Sequence, residues 1–420
     1  MSAARIIDGR LVGADFLQDP RAQRIFDAID GNGEEARIVG GAIRNALMGL
    51  PVHEVDFCTT AHPDEIILRA KSAKLRTIPT GIEHGTVTIL VEGETFEVTT
   101  LRHDVETDGR RATVRFGSSF EEDALRRDFT MNALSVDRHG AIYDYVDGLA
   151  DIDKRHVRFI GEARQRIRED YLRILRFFRF HAAFGEGAMN PEAFAAVISE
   201  HAGLERLSRE RVRSELLKLL AAKRCAEVIG DVADAGILGP ILAGVAIPAR
   251  LAALVRIEIE TGGAADPILR LAALAVLVEE DADRLLDHLR LSVAERDRLA
   301  NAAKALAVLH GAPALDEKAL RVFHYRHGRQ AAMDAVRLAW SDGRAGLAAS
   351  HWRAVLAFVT NEPEKKLPVR GADLIARGIP PGPAIGKALA EIEQRWVGAG
   401  FPVEDGEIEL LIGASLASST

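Results

Sequence analysis

Two carboxylates, Glu54 and Asp56, stand one residue apart in a stretch, Glu54 to Cys58, that predicts a β-strand. At positions i and i+2 of a strand both side chains leave the same face, and two anions on one face need compensation. An isolated acid-x-acid pair more often marks an exposed strand face. Paired oxygen ligands on a rigid strand are also what Mg²⁺-dependent phosphoryl transfer requires. Upstream, Gly40-Gly41 leads into a predicted helix, Ala42 to Met48. Glycines before a helix let its free N–H groups approach a phosphate, and Arg44, one turn in, adds charge-assisted hydrogen bonds. Two further groups carry charge in a useful pattern: Arg126-Arg127-Asp128-Phe129-Thr130-Met131-Asn132, and Glu169-Asp170-Tyr171-Leu172-Arg173 with Arg176 and Arg179. Asp128 alone would equally serve as an N-cap before Thr130 to Leu134. Asp170, Arg173 and Arg176 are three apart, which places them on one side of a helix, where an exposed i,i+3 ion pair is the plain reading.

The elements that must position these groups divide the chain in two. Up to about Gly148, β-type runs alternate with helices. Ala36 to Val39 predicts a strand into Gly40-Gly41, and Thr86 to Val91 with Thr95 to Leu101 predicts a hairpin about Glu92-Gly93. Ala133 to Val136 and Ile142 to Tyr145 repeat the pattern about His139-Gly140. Beyond Gly148, apolar residues recur at three- and four-residue steps through Ile167 to Phe180, Val212 to Leu220, Ile268 to Val278 and Ala294 to Leu309, so helices dominate. Ser292 with Glu295 is a capping-box signature. The fold class expected is α+β.

With 420 residues, 48% of them hydrophobic, the chain can bury a large core in two to four domains. The run Leu271 to Val278 is closed by Arg270 and Glu279, well short of the roughly 20 residues of a bilayer span. The first residues lack a basic segment feeding an apolar one, and Cys58 and Cys225 are too few for a disulfide framework, so a cytoplasmic location is expected. Net charge is −8, yet Arg164 to Arg224 holds 13 Lys/Arg against 8 Asp/Glu. Such a strip is usually a solvated helix face, and it is also the footprint of phosphate contacts.

The ordered series VGGAIRNALMGLPVHEVDFCTT, TGIEHGTVTILVEGETFEVTTLRHDVETDGRR, EEDALRRDFTMNAL, YDYVDGLADI, GEARQRIREDYLRILRFFRF and LSRERVRSELLKLL resembles the bacterial tRNA nucleotidyltransferase and poly(A) polymerase family, within the DNA polymerase beta superfamily. The resemblance covers about residues 36 to 220. It implies a nucleotidyltransferase head (1–147) with a small β-sheet, then an elongated all-α neck (148–222), body (223–330) and tail (331–420). It implies that Glu54 and Asp56 hold catalytic Mg²⁺, that Gly41 and Arg44 hold a triphosphate, and that Arg127 and Asp128 meet the nucleotide sugar and phosphates. A ribose 2′-OH can donate to a carboxylate and accept from a guanidinium, which suits that last pair.

Asp170, Arg173, Arg176 and Arg179 would complete the nucleotide site. Cytosine and adenine both present an amino donor beside an unprotonated ring nitrogen. Asp170 can accept from the first while Arg173 donates to the second; guanine and uracil reverse this polarity and leave groups unpaired at about 1–3 kcal/mol each. The implied reaction is addition or repair of CCA at the tRNA 3′ end from CTP and ATP, and no protein partner is implied.

Two positions depart from the family pattern: Glu54 where Asp is usual, and Asn45 where Asp is common. Glu97 is a candidate third carboxylate, or simply a solvent-facing strand residue. The charged loop His103 to Arg111 corresponds to one that helps the family switch from CTP to ATP. Gly382-Pro383-Ala-Ile-Gly386 opens a predicted helix in a tail-like segment, Leu367 to Trp396, where free N–H groups could meet tRNA phosphates. Three other readings compete. A poly(A) polymerase is disfavoured by Thr80 to Thr86, which looks like the CCA-adding version. A catalytically weak tRNA-binding homologue is suggested by Glu54. An HD phosphohydrolase would rest on His103-Asp104 alone, in a region where that fold wants helices.

Overall fold

The structure is a computed structural model that describes residues 5–7, 9–78, 81–82, 85–107, 112–117, 119–311, 314–343 and 346–417. The chain separates into two compact units, Met1–Ile241 and Leu242–Thr420.

In the first unit, eight strands form one sheet in the order β1-β10-β9-β2-β3-β6-β5-β4. They are β1 (Arg5–Ile7), β2 (Ala36–Val39), β3 (Asp56–Thr59), β4 (Arg76–Ile78), β5 (Thr86–Val91), β6 (Glu94–Thr100), β9 (Ser135–Val136) and β10 (Ile142–Asp144). Beside this sheet, β7 (Arg102–Thr107) and β8 (Ala112–Phe116) pair antiparallel as a separate hairpin. The segment read from sequence as a loop over His103 to Arg111 is therefore largely a strand, its tip lying outside the described residues. Alternating Thr and Val in Ala112–Phe116, downstream of the charged stretch, supplied the pairing partner that a local reading overlooks.

Three register facts place the catalytic segments. Val39 pairs with Asp56 at the end of the β2/β3 ladder. Beyond Val39 the chain turns through Gly40, at φ 74°, into α3 (Gly41–Leu47). That positive φ suits glycine, and a Cβ there would sit 3.0 Å from Nη1 of Arg127. On its other edge β2 pairs with β9, so the segment leading into β9 lies beside Gly40. Finally β3 runs parallel to β6, with Phe57 opposite Val98, which sets Asp56 next to Glu97.

Glu54 is not in the strand as expected. Residues 51–55 carry no regular structure, because β2 turns away at Gly40 and leaves Glu54 and Val55 without a ladder partner. The hairpin about Glu92-Gly93 is as expected: both residues have positive φ, 53° and 92°, the conformation a tight two-residue turn demands.

Helices follow the sheet. α5 (Phe120–Arg126) ends at Arg127; α6 (Gly148–Asp153), α7 (Ala163–Glu169), α8 (Leu172–Phe184), α9 (Pro191–Glu200), α10 (Arg209–Ala221) and α11 (Cys225–Asp234) come after. Phe129 from the sheet side packs with Phe159 and with Phe180 of α8, ring centroids 4.9 Å apart in each case. Phe159 also stacks on Phe177 at 5.6 Å. These buried rings join the sheet layer to the helices through a continuous apolar core.

Every regular element among the described residues of the second unit is a helix. A capping box is present, as expected: Ser292 N donates to Glu295 Oε2 at 2.7 Å and Glu295 N to Ser292 Oγ at 3.3 Å. Trp396, Phe401, Ile392 and Leu374 form one buried cluster, and Pro383 occupies the first turn of the helix Pro383–Gly398. Among the described residues, no helix is long and apolar enough to cross a membrane.

Gly148, which opens α6, is a tight contact. A Cβ there would lie 2.3 Å from the backbone oxygen of Thr130, in the segment that carries Arg127 and Asp128. Gly148→Ala is expected to destabilise the protein by about 1–3 kcal/mol in denaturant unfolding; an unchanged transition would show that the two backbones do not meet.

Candidate active site

Two cavities meet at Asp56. One, of about 420 Å³, is lined by Gly40, Gly41, Arg44, Asp56, Arg127, Asp128, Asn132, Asp170, Leu172, Arg173, Arg176, Phe180 and Arg211. The other, of about 960 Å³, has Glu54, Asp56 and Glu97 in its wall together with residues of the N-terminal segment. Asp56 is common to both. Glu54 and Asp56 therefore share a cavity without sharing a strand.

Asp56 opens onto this space, yet its carboxyl is held above the ordinary range, first by burial and then by Glu97, with Glu54 contributing less. Arg127 opposes the shift. A carboxylate raised by its own neighbours marks a place where negative charge exceeds its compensation, which a divalent cation would correct. Among the described residues no three acidic, histidine or cysteine side chains converge into a ready cage. One or two carboxylates suffice for Mg²⁺, which keeps several waters and takes its remaining ligands from substrate phosphates.

The opposite imbalance lies across the smaller cavity. Arg44 is buried, and its guanidinium donates to Oδ1 of both Asn132 and Asn45, with no carboxylate among these partners. Burial, together with Arg179 and Arg176, lowers its pKa to about 10 despite the nearby Asp128. It also lies 4.0 Å from the centroid of the Phe184 ring. Arg127 is anchored to Asp123 at 2.9 Å. Arg176 donates through Nε to Asp128 Oδ2 at 2.7 Å, and burial of Asp128 is outweighed by Arg176 and by hydrogen bonds from Asn132 and Phe129, so the carboxyl is held below its usual range. The positive charge around Arg44 is thus incompletely neutralised, and a polyanion fits there.

Asp128 does not cap a helix. Its Oδ1 accepts from Phe129 N at 2.9 Å and Asn132 Nδ2 at 3.1 Å, and only a short 3₁₀ turn, Thr130–Asn132, follows. Arg179 alone among the expected nucleotide-site residues does not line the cavity. It is held at 2.6 Å by Glu215 and contacts the Phe180 ring at 4.4 Å, acting on the site through the charge it adds behind Arg44.

The expected helical alignment of Asp170, Arg173 and Arg176 is corrected in one respect. Asp170 is extended (φ −153°, ψ 105°) and sits in a break between α7 and α8. Its Oδ1 accepts from Leu172 N at 3.1 Å, helping to cap α8. The adjacent Tyr171 ring is seated on Gly203, where a Cβ would come within 1.9 Å. The break has a local signal that the three-residue spacing concealed, since aspartate is a preferred cap. Arg173 is held by Glu169 Oε2 at 2.7 Å and by the carbonyl of Arg166 at 2.8 Å. Asp170 and Arg173 nonetheless line the same cavity as Asp56.

A CCA tRNA nucleotidyltransferase from Mus musculus, mitochondrial, is 32% identical over 407 residues, spanning 93% of this chain and 91% of its own length. The CCA-adding enzyme of Latilactobacillus sakei is 34% identical over 379 residues, spanning 89% and 92%. The chain belongs to the CCA-adding tRNA nucleotidyltransferase family. Residues 36–158 match the family described as "Poly A polymerase head domain", 188–247 "Probable RNA and SrmB- binding site of polymerase A" and 266–409 "tRNA nucleotidyltransferase domain 2 putative". Among solved structures, the Bacillus stearothermophilus CCA-adding enzyme in complex with CTP aligns at a TM-score of 0.74 and 27% identity, covering 95% of this chain and 98% of that one. The Thermotoga maritima enzyme complexed with tRNA, at 19% identity and a TM-score of 0.67, shares the fold. The nucleotidyltransferase family as a whole uses divalent metal.

Several lining residues were not singled out from sequence: Asn132, Leu172, Phe180 and Arg211. All four lay within the motif segments above, and in the periodic helices that carry Leu172, Phe180 and Arg211 a pocket-facing residue reads like any core or surface position. Of the TGIEHGT motif, Thr80, Glu83 and His84 lie outside the described residues.

Because Glu97 is the foremost charge raising Asp56, Glu97→Gln in metal-free protein is expected to bring the Asp56 titration midpoint down toward the ordinary carboxyl value, read by carbon NMR of the side chain. A carboxyl raised in the fold loses stability as pH climbs through the interval between its ordinary and raised values. Glu97→Gln should therefore stabilise the protein at neutral pH and leave it unchanged below that interval. An unmoved Asp56 titration would show that the two side chains do not interact.

Proposed function

We propose that this chain adds or repairs the 3′-terminal CCA of tRNA, transferring nucleotidyl groups from CTP and ATP without a nucleic-acid template. The observation that carries the reading is the single cavity of about 420 Å³ into which Asp56, the phosphate-suited Gly41 and Arg44, the Arg127–Asp128 pair and the Asp170–Arg173 pair all open. Its relatives are named for this activity, and the 27%-identical structure was solved with CTP. The division of labour follows the head (1–147), neck (148–222), body (223–330) and tail (331–420) scheme, with the tail, including the Pro383–Gly398 helix, meeting tRNA.

Asp56 and Glu54 would hold Mg²⁺, with Glu97 beside them. When bound, the metal supplies charge neutralisation at the α-phosphate and a more acidic 3′-hydroxyl. Gly41 offers free N–H groups at the start of α3, and Arg44, Arg127 and Arg176 neutralise triphosphate oxygens. Asp128, ionised by Arg176, accepts from the ribose hydroxyl. Asp170 takes the amino hydrogen of cytosine or adenine, and Arg173 donates to the neighbouring ring nitrogen. Held this way, the α-phosphorus is attacked in line by the tRNA 3′-oxygen; the new O–P bond forms as the bond to the bridging oxygen of pyrophosphate breaks, and pyrophosphate departs with its charge met by the arginines.

Purified protein given tRNA lacking CCA should incorporate C from CTP, then A once C is in place. A-tails growing without CTP would point to a poly(A) polymerase instead. Asp56→Asn should lower the rate by about 1000-fold or more. Glu54→Asp should stay within about tenfold of the parent, since residues 51–55 are free of any ladder and can absorb a change in reach of roughly 1 Å. Equal inertness of parent and Glu54→Asp, with Mg²⁺ or Mn²⁺, would instead indicate a tRNA-binding protein.

A further inference from the structure

Asp170 and Arg173 carry opposite charges, stand three residues apart about the start of α8 and line one cavity, so each is an available partner for the other. Such a pair would consume both groups assigned to read the base. In the structure they are kept apart by other partners. Asp170 Oδ2 accepts from Arg211 Nη2 of α10 at 2.7 Å, and Arg173 of α8 donates to Glu169 and to the Arg166 carbonyl, both partners on α7. Asp170 Oδ1 is already committed to Leu172 N, so Oδ2 is the oxygen left to meet a base, and Arg211 occupies it.

We propose that Arg211 is a positioning residue for base selection: a replaceable partner that holds Asp170 open toward the cavity and prevents it from folding onto Arg173. The inference rests on the reading of Asp170 and Arg173 given above. Three features suit Arg211 to this part. It lines the same cavity as Asp56 and Asp170. Its side chain is 42% exposed, so water takes over its hydrogen bonds when the base arrives and the exchange costs little. It comes from α10, 41 residues away, so its hold on Asp170 is set by the packing of α10 and not by the α7–α8 break itself. The interaction also filters what replaces it. An incoming amino group can share or take Oδ2, while a carbonyl oxygen at that place faces the carboxylate with no hydrogen and leaves Arg211 where it is.

The test is equilibrium binding of CTP and of UTP to the full chain in the presence of Mg²⁺. Asp170→Ala comes first: it should narrow the preference for CTP over UTP, and if the preference survives, the reader assignment falls and this inference with it. Given that result, Arg211→Ala is expected to weaken CTP binding by about tenfold and UTP binding far less, narrowing the same preference, with Arg211→Lys recovering most of the loss. General loosening of α10 would weaken both nucleotides alike, and Lys would not restore the ratio. Should Arg211→Ala leave the CTP/UTP ratio at the parental value while Asp170→Ala collapses it, the reader stands and the role given to Arg211 is wrong. If the Ala variant folds poorly, Arg211→Gln, which keeps the length and removes the charge, must show the same narrowed ratio, and a parental ratio there overturns the proposal.

Discussion

The Asp128–Arg176 ion pair is the constraint on which the site depends. It joins residues 48 apart, one leading into the sheet and the other on α8, and it is flanked by the packed rings of Phe129, Phe159, Phe177 and Phe180. Burial makes an unpaired charge at either position costly, so the pair and the rings define one arrangement of strand and helix and not a range of them. Because Asp56 is carried by the same sheet and Asp170 and Arg173 by the start of the same helical layer, one junction sets the distance between the carboxylate proposed to hold a metal and the side chains proposed to read a base.

The electrostatics of this junction are left unfinished in two complementary ways. Around Asp56, burial and then the neighbours Glu97 and Glu54 hold the carboxyl above its ordinary range. Around Arg44, burial and the neighbours Arg179 and Arg176 depress a guanidinium that donates to the neutral amides of Asn45 and Asn132. Each cluster costs stability on its own, and in the function proposed above each would be answered by one end of a metal-nucleoside triphosphate. That is the usual signature of residues retained for binding, not for folding. Asp123 and Glu215 offset part of the local positive charge by pairing with Arg127 and Arg179.

Tertiary context corrected the sequence reading where partners were distant. Glu54 looked like a strand residue because its neighbours are, yet a strand exists only where a ladder partner does, and Gly40 removes that partner. Asp170 looked helical because the spacing to Arg173 and Arg176 is helical, yet a capping aspartate with a tyrosine ring seated on Gly203 makes a break there instead. His103 onward looked like a loop because charge dominates it, yet β8 supplies its pairing.

What the sequence alone determined is the chemistry available: a glycine turn before a helix, an acid-x-acid segment, an Arg-Arg-Asp segment and an Asp/Arg series, each local in the chain and each legible from residue type and spacing. The hairpin at Glu92-Gly93 and the capping box at Ser292 were legible for the same reason, because their hydrogen bonds join residues a few positions apart. Only the tertiary structure decided that Asp56 stands beside Glu97, that Arg176 belongs to Asp128, and that Arg211 reaches Asp170. Those contacts join positions about 40 residues or more apart in sequence, and they are selected by sheet register and buried packing, which no window of neighbouring residues contains.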